Sequence, residues 1–127
     1  MSEPGEELFN TVFFHGVELF NNKEFFDCHD AFEELWMEER GERRLFLQGL
    51  IQAAVGCHHL SNGNTSGAIS QYMKSLDKLK KFPDDYLGLD MRSFRKEIER
   101  CFDGACLMSA KNEVDDSFFP ELRIIRS

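Results

Sequence analysis

The 127-residue sequence lacks the features that mark zinc ribbons, redox motifs and nucleic-acid-binding domains. No two of its four cysteines (Cys28, Cys57, Cys101 and Cys106) form a CxxC pair, so a zinc ribbon and a thioredoxin-type motif are absent. It has only 15 basic residues against 23 acidic ones, a net charge of −8. This balance disfavours nucleic acid or an anionic membrane as the main partner, because either would need a basic surface.

The sequence also lacks a hydrophobic run long enough for a transmembrane helix. The stretch 45–73 contains no Asp, Glu, Lys or Arg, but its helical part, 45–60, is too short and too rich in Gln and His to span a bilayer. The N-terminus MSEPGEE is acidic and polar, unlike a secretory signal or a transit peptide. Cysteines within apolar helical stretches fit reduced thiols, so we expect a cytoplasmic protein.

Proline is scarce, with three residues, and alternating β-branched runs are few, which favours helices over strands. We predict an all-α protein, a five-helix bundle of antiparallel helical hairpins. The length fits one domain, 1–108, with an irregular C-terminal tail, 109–127, that is extended or partly mobile. Apolar spacing and breaker residues place four helices at about 4–21, 24–39, 42–60 and 65–81, with 42–60 as the buried central helix. The segment FPDDYLGLD then forms a loop, Asp90 is the N-cap of a fifth helix, and Gly104 weakens the end of that helix.

A weak internal repeat relates the first two hairpins. Moving the chain by forty residues places Asn22, Cys28 and Phe32 on Asn62, Ala68 and Tyr72. Both segments have the pattern of a helix, an Asn-containing turn and a second helix, which resembles the tetratricopeptide hairpin. The full tetratricopeptide consensus is missing, so the repeat predicts a shared packing geometry only.

The second helix carries the strongest candidate site. His29 and Glu33 are four residues apart and therefore lie on one helical face, while Asp30 and Glu34 are turned toward solvent. A partly buried histidine beside a carboxylate can act as a tuned acid or base, and the pair could also provide two ligands to a divalent metal ion. HDAFE is not the zincin HExxH pattern, so a metal would need a further ligand from another helix.

The third helix offers that ligand. His58 lies in line with the apolar residues of this helix, whereas His59 lies toward an edge. If the two helices pack antiparallel, either imidazole comes within one or two turns of His29. We therefore take His29, Glu33 and His58 as candidate catalytic or metal-binding residues. The candidate ligand-binding residues are Phe25, Trp36, Gln48 and Gln52.

A structural role for the same residues is the main alternative. A helix-buried histidine that bonds a nearby carboxylate often only fixes packing, as a satisfied polar network. The thiols of Cys28 and Cys57 have no evident basic neighbour, apart from His29 next to Cys28, and are therefore expected to be core residues.

The segment from Leu19 to Phe102 resembles a family of small helical proteins known as domain of unknown function 309. The resemblance depends on an H-x-x-x-E-x-x-W pattern, a following LQG-x-I-x-x-A-x-x-x-H pattern and a later GLDxRS. The residues of the first two patterns and the turn after them are Phe25, Phe26, His29, Asp30, Glu33, Trp36, Gln48, Gly49, Ile51, Ala54, His58 and Gly63. Lys23 stands where the family tends to have glycine. The resemblance implies an all-α bundle with His58 as the inward histidine, and no established reaction.

Two functions are therefore open. The first is a binding module for a small ligand, a protein or a second copy of the chain, with a His/Glu/His polar site. The second is a metal-assisted or acid–base hydrolase that uses His29, Glu33 and His58. A fold-stabilising network with the function elsewhere in the chain is the third interpretation.

Overall fold

The computed structural model describes residues 4–107 and 118–125. Its helices are α1 (Pro4–Asn21), α2 (Phe25–Glu38), α3 (Gly41–Ser61), α4 (Thr65–Leu79) and α5 (Met91–Leu107). The all-α prediction is confirmed, and the ends of α1 to α4 lie within two residues of the predicted ones. No helix in the described residues is long and apolar enough to cross a membrane.

The central position of α3 is also confirmed. α3 packs between α2 and α4, α1 covers the other side of α2, and α5 packs against α4. Buried aromatic rings fill the space between these helices. Phe13, Phe32 and Phe46 are less than 2 % exposed. The ring centroid of Phe13 lies 5.7 Å from that of Phe32 and 6.5 Å from that of Phe46. Such offset ring pairs add to the hydrophobic effect of burying their area.

The two hairpins α1–α2 and α3–α4 share one geometry, as the forty-residue repeat predicts. α1 and α3 end at Asn21 and Ser61, and α2 and α4 begin at Phe25 and Thr65. Where each pair of helices crosses, a glycine lets an aromatic ring approach the backbone. A Cβ added at Gly16 would lie 2.5 Å from the Phe32 ring, and one at Gly56 would lie 2.7 Å from the Tyr72 ring.

The turns of the two hairpins are also equivalent. Lys23 and Gly63 both have positive φ, 66° and 78°. The amide of each donates to the carbonyl three residues earlier, in both cases at 3.0 Å. Glycine adopts this backbone conformation without steric cost, whereas lysine does not. Lys23 therefore takes a backbone conformation that suits glycine better, and the chain follows the same path as at Gly63.

The segment after α4 was predicted to be a loop, and this is wrong in detail. Residues Asp85–Tyr86 (β1) and Leu89–Asp90 (β2) form a short antiparallel hairpin. Its two turn residues, Leu87 and Gly88, both have positive φ, as in a type I′ turn. Asp90 then caps α5, as predicted, by accepting hydrogen bonds from the backbone amide and hydroxyl of Ser93 at 3.0 and 2.8 Å.

The described part of the C-terminal tail is extended and packs on the bundle. Ile124 forms an isolated antiparallel bridge with Leu89, and the Ile125 amide donates to the Gly88 carbonyl at 2.8 Å, so this part of the tail runs alongside β2. The Asn21 side chain pairs with the backbone of Leu122, with both hydrogen bonds 2.8 Å long. The ring of Phe119 packs on that of Phe25 at 5.1 Å. The mobility predicted for the tail concerns residues 109–117 and 126–127, which lie outside the described residues.

Candidate functional site

The α2–α3 face contains a depression of about 210 Å³. It is lined by Phe25, Phe26, His29, Val55 and His58. α2 provides the first three residues because its N-terminal turns lie against the C-terminal turns of α3. Two of the predicted site histidines, His29 and His58, therefore border the same surface feature.

The apolar stripe of α2 determines which side chains face this depression. Phe25, Cys28, Phe32 and Leu35 point into the core and are buried. Phe26 is one position away from that stripe, and its side chain is 59 % exposed. The Phe26 ring centroid lies 6.2 Å from that of His29 and 5.8 Å from that of His58, within the range of interacting aromatic pairs.

His29 is held between two carboxylates on its own helix. Its Nε2 lies 2.9 Å from an oxygen of Glu33, and its Nδ1 lies 3.2 Å from an oxygen of Asp30. The His29 side chain is 29 % exposed, so it is at the edge of the core and not inside it. The predicted contact between His29 and Glu33 is therefore present. Asp30, which was predicted to face solvent, is a further partner of the imidazole.

His58 has a different environment. The side-chain nitrogen of Asn62 lies 3.3 Å from Nε2 of His58, one helical turn further along the chain. Among the described residues, one set of His, Cys, Asp or Glu side chains brings its candidate metal-ligand atoms within 4.8 Å of one another, and it consists of His29, Asp30 and Glu33. His58 is not part of that set.

Three predicted ligand-binding residues do not line the depression. Trp36 lies two turns after His29 and is covered by the Arg44 guanidinium, 4.0 Å from its ring centroid. Gln48 and Gln52 are half-buried on α3. Nε1 of Trp36 and Oε1 of Gln52 are buried and have no hydrogen-bond partner among the described residues.

The thiol next to His29 is a core group. Cys28 is fully buried, and this burial raises the pKa of its thiol well above the usual range. Burial likewise raises the pKa of Cys57, whose sulfur accepts a hydrogen bond from the Tyr72 hydroxyl at 3.3 Å. Neither cysteine has the electropositive, accessible setting of a reactive thiolate.

Two residues of the site were missed as ligand contacts in the sequence analysis, namely Phe26 and Val55. Phe26 could have been found, because it is a large aromatic residue outside the apolar stripe that its own helix buries. The position of Val55 depends on how far α3 is rotated about its axis, which the nearly uniform apolar pattern of that helix does not specify.

The segment that forms this site matches a known family. Residues 13–71 match the family model described as domain of unknown function (DUF309). This part of the chain is similar to the DUF309 family. It begins in α1, contains the whole of α2 and α3, and ends in α4. The family expected from the sequence is thus confirmed, while a role for the H-x-x-x-E-x-x-W pattern stays a prediction.

Two relatives of this chain are described as uncharacterized. The chain is similar to the uncharacterized protein YpuF of Bacillus subtilis, with 32 % identity over 94 residues, 65 % of this chain and 53 % of that protein. It is also similar to an uncharacterized protein of Aquifex aeolicus, with 26 % identity over 80 residues, 62 % of this chain and 24 % of that protein. The chain therefore spans about half of one relative and about a quarter of the other.

Proposed function

We propose that the α2–α3 face is a binding site for a small ligand with one aromatic or apolar ring and a cationic group. The observation that carries this proposal is the exposed ring of Phe26, which lines an apolar depression beside a histidine flanked by two carboxylates. An apolar depression bordered by a few convergent polar groups is the usual form of a small-molecule site.

The size of the depression supports a ligand of one ring. Its volume of about 210 Å³ is below that of most drug-sized sites. A buried cavity of about 150 Å³ is enough to bind benzene. The apolar lining from Phe25, Phe26 and Val55 would cover such a ring, and the imidazoles of His29 and His58 would lie at its border.

The charge of α2 supports a cationic group. The helix contains five carboxylates (Asp27, Asp30, Glu33, Glu34 and Glu38) and no Lys or Arg. Carboxylates arranged in this way create a negative potential over the adjoining surface and attract cations. Asp30 and Glu33 both contact His29, which lines the depression.

Benzamidine, benzamide and benzoate test this proposal, because they have similar shapes and carry a positive, a neutral and a negative group. We expect calorimetry to give benzamidine the highest affinity, with a dissociation constant of about 1 mM, as for other fragments of this size. Phe26→Ala should weaken benzamidine binding at least about tenfold because the ligand ring would lose one wall of its site. Glu33→Gln should weaken it by a similar factor because one of the two negative charges beside His29 is lost.

Matched controls are available on other helices. Met73 on α4 is 58 % exposed, close to the 59 % of Phe26, so Met73→Ala removes a comparable exposed apolar side chain. Glu99→Gln removes an exposed carboxylate from α5. Both controls should bind benzamidine as the wild type does. Equal affinity for benzoate, or unchanged binding by Phe26→Ala, would contradict the proposal.

A hydrolase is the second candidate function. The observation that favours it is the His29 imidazole, whose Nδ1 is oriented by Asp30 while Nε2 lies 2.9 Å from Glu33. A base oriented by a carboxylate is the arrangement found in many acid–base catalysts. The nearby Cys28 is buried with a raised pKa, so it would not be the nucleophile, and His29 would have to activate water.

Hydrolysis of 4-nitrophenyl acetate tests this second candidate. His15, an exposed histidine on α1, provides the background rate of an ordinary surface imidazole. A hydrolase should lose at least about tenfold in kcat/KM in His29→Asn and keep its rate in His15→Asn. If the two variants have the same rate, His29 is not a catalytic base.

A further inference from the structure

The three side chains around His29 form a chelating arrangement on a single helix. His29, Asp30 and Glu33 bring their candidate ligand atoms within 4.8 Å of one another. From this geometry we propose that the polar edge of the same face, beside the depression, binds a divalent transition-metal ion. Nε2 of His29 and a carboxylate oxygen of Glu33 would be its ligands, and Asp30 would accept the Nδ1–H of the imidazole. The inference rests on the proposed function, because it adds a metal ion to the same proposed binding site.

The two ring nitrogens of His29 indicate which carboxylate is the ligand. They are on opposite sides of the imidazole, so one metal ion can bind only one of them. A metal-binding histidine usually donates its other N–H to a carboxylate or a carbonyl. Asp30 lies 3.2 Å from Nδ1 and meets that requirement, which leaves Nε2 and Glu33 for the metal.

The observed distance is close to that in a metal site. Zinc binds histidine nitrogen and carboxylate oxygen at about 2.0–2.2 Å, so two ligand atoms of one tetrahedral ion are about 3.3 Å apart. Nε2 of His29 and Oε2 of Glu33 are 2.9 Å apart. A small movement of the Glu33 side chain, which is 46 % exposed, would admit the ion.

The charges of α2 also favour a divalent cation. Asp30, Glu34 and Glu38 follow one another at four-residue spacing, and like charges at this spacing destabilise a helix. None of these carboxylates has a Lys or Arg ion-pair partner within residues 4–107 and 118–125. A bound dication would reduce this repulsion.

The donor set predicts the type of metal. An imidazole nitrogen with a carboxylate suits zinc, cobalt or nickel, whereas magnesium and calcium prefer oxygen ligands alone. His29 and Glu33 provide two protein ligands, one fewer than a typical catalytic zinc site has, so water or a ligand in the adjoining depression would occupy the remaining positions. The further ligand expected from another helix is not part of this set. His58 is not assigned a ligand role, since its Nε2 lies against the Asn62 amide.

Calorimetric titration of the chelator-stripped full chain with Zn²⁺ tests the inference. We expect one Zn²⁺ site per chain that depends on His29. The Zn²⁺ affinity should be lowered at least about tenfold in both His29→Gln and Glu33→Gln. Asp30→Asn should weaken binding about 10–100-fold, the effect typical of losing the carboxylate that orients a metal-binding histidine. Mg²⁺ at the same concentration should not displace Zn²⁺.

His15→Gln is the matched control, because His15 is exposed on α1 and has Leu19, not a carboxylate, four residues later. It should bind Zn²⁺ as the wild type does, and thermal unfolding of each metal-free variant checks that the fold is intact.

Equal Zn²⁺ affinity in His29→Gln and wild type would overturn the metal site. If Zn²⁺ fails to bind while benzamidine binds to the metal-free protein, the metal is excluded and the proposed function stands. If Zn²⁺ binds through His29 and benzamidine does not bind, the metal site stands and the organic ligand class is wrong.

Discussion

Gly16→Ala should lower the free energy of unfolding by about 2 kcal/mol, even though alanine is the better helix former. The new Cβ would lie 2.5 Å from Cε1 and 2.8 Å from Cδ1 of Phe32, closer than carbon atoms pack. Phe32 is fully buried against Phe13, so its ring cannot turn aside without disturbing the core. Overpacking of this kind costs about 1–3 kcal/mol or more, whereas the gain in helix propensity is about 1 kcal/mol.

Denaturation by urea measures this effect, and Gly5→Ala is its control in the same helix. A Cβ at Gly5 would meet no atom within 4 Å, so that variant should not lose stability. Gly56→Ala should behave like Gly16→Ala, because its Cβ would lie 2.7 Å from the buried ring of Tyr72. If Gly16→Ala is as stable as Gly5→Ala, the close helix crossing described for the two hairpins is incorrect.

Asn21→Ala should also cost about 2 kcal/mol. The Asn21 amide donates to the carbonyl of Leu122 and accepts from its N–H, as a neighbouring strand would. Leu122 is 1 % exposed, so the substitution would leave one buried donor and one buried acceptor without their partner. Each unsatisfied buried group costs about 1–3 kcal/mol, part of which water recovers as the tail loosens.

Urea denaturation together with hydrogen exchange at the Leu122 amide checks this second prediction. Exchange at Leu122 should become faster in Asn21→Ala and stay unchanged in Asn22→Ala. Asn22 is the adjacent residue, and its exposed side chain has no hydrogen bond among the described residues. Equal stabilities of the two variants would show that the Asn21–Leu122 pairing does not hold the tail.

Much of the helical fold could be predicted from local signals. Phe13, Phe32 and Phe94 follow the helical period, Asp90 has the side chain of an N-cap, and the two helical turns repeat at a fixed spacing. The β1–β2 hairpin could not be predicted in the same way, because Leu87 adopts a positive φ that leucine rarely has. The pairing of Asn21 with Leu122 joins residues 101 positions apart, and nothing in either local sequence indicates it.

For the candidate site, the sequence was sufficient to predict which side chains share a helix face. Four-residue spacing was sufficient to bring His29 and Glu33 together. Whether Asp30 also reaches the imidazole depends on the side-chain conformations of both residues, which spacing does not determine. Trp36 was expected to line the pocket together with Phe25, yet it lies under Arg44, because eleven residues advance a helix by about 16 Å along its axis.

The surface around Phe26 and His29 is proposed to bind a ligand with a ring and a cationic group. The most direct measurement is the change in ¹H–¹⁵N and aromatic NMR signals of the wild-type protein on addition of benzamidine, with benzoate as the reference. We predict saturable changes concentrated at Phe25, Phe26, His29, Val55 and His58, and none of comparable size with benzoate. Changes that centre on another surface, or that are the same for both compounds, would contradict the claim.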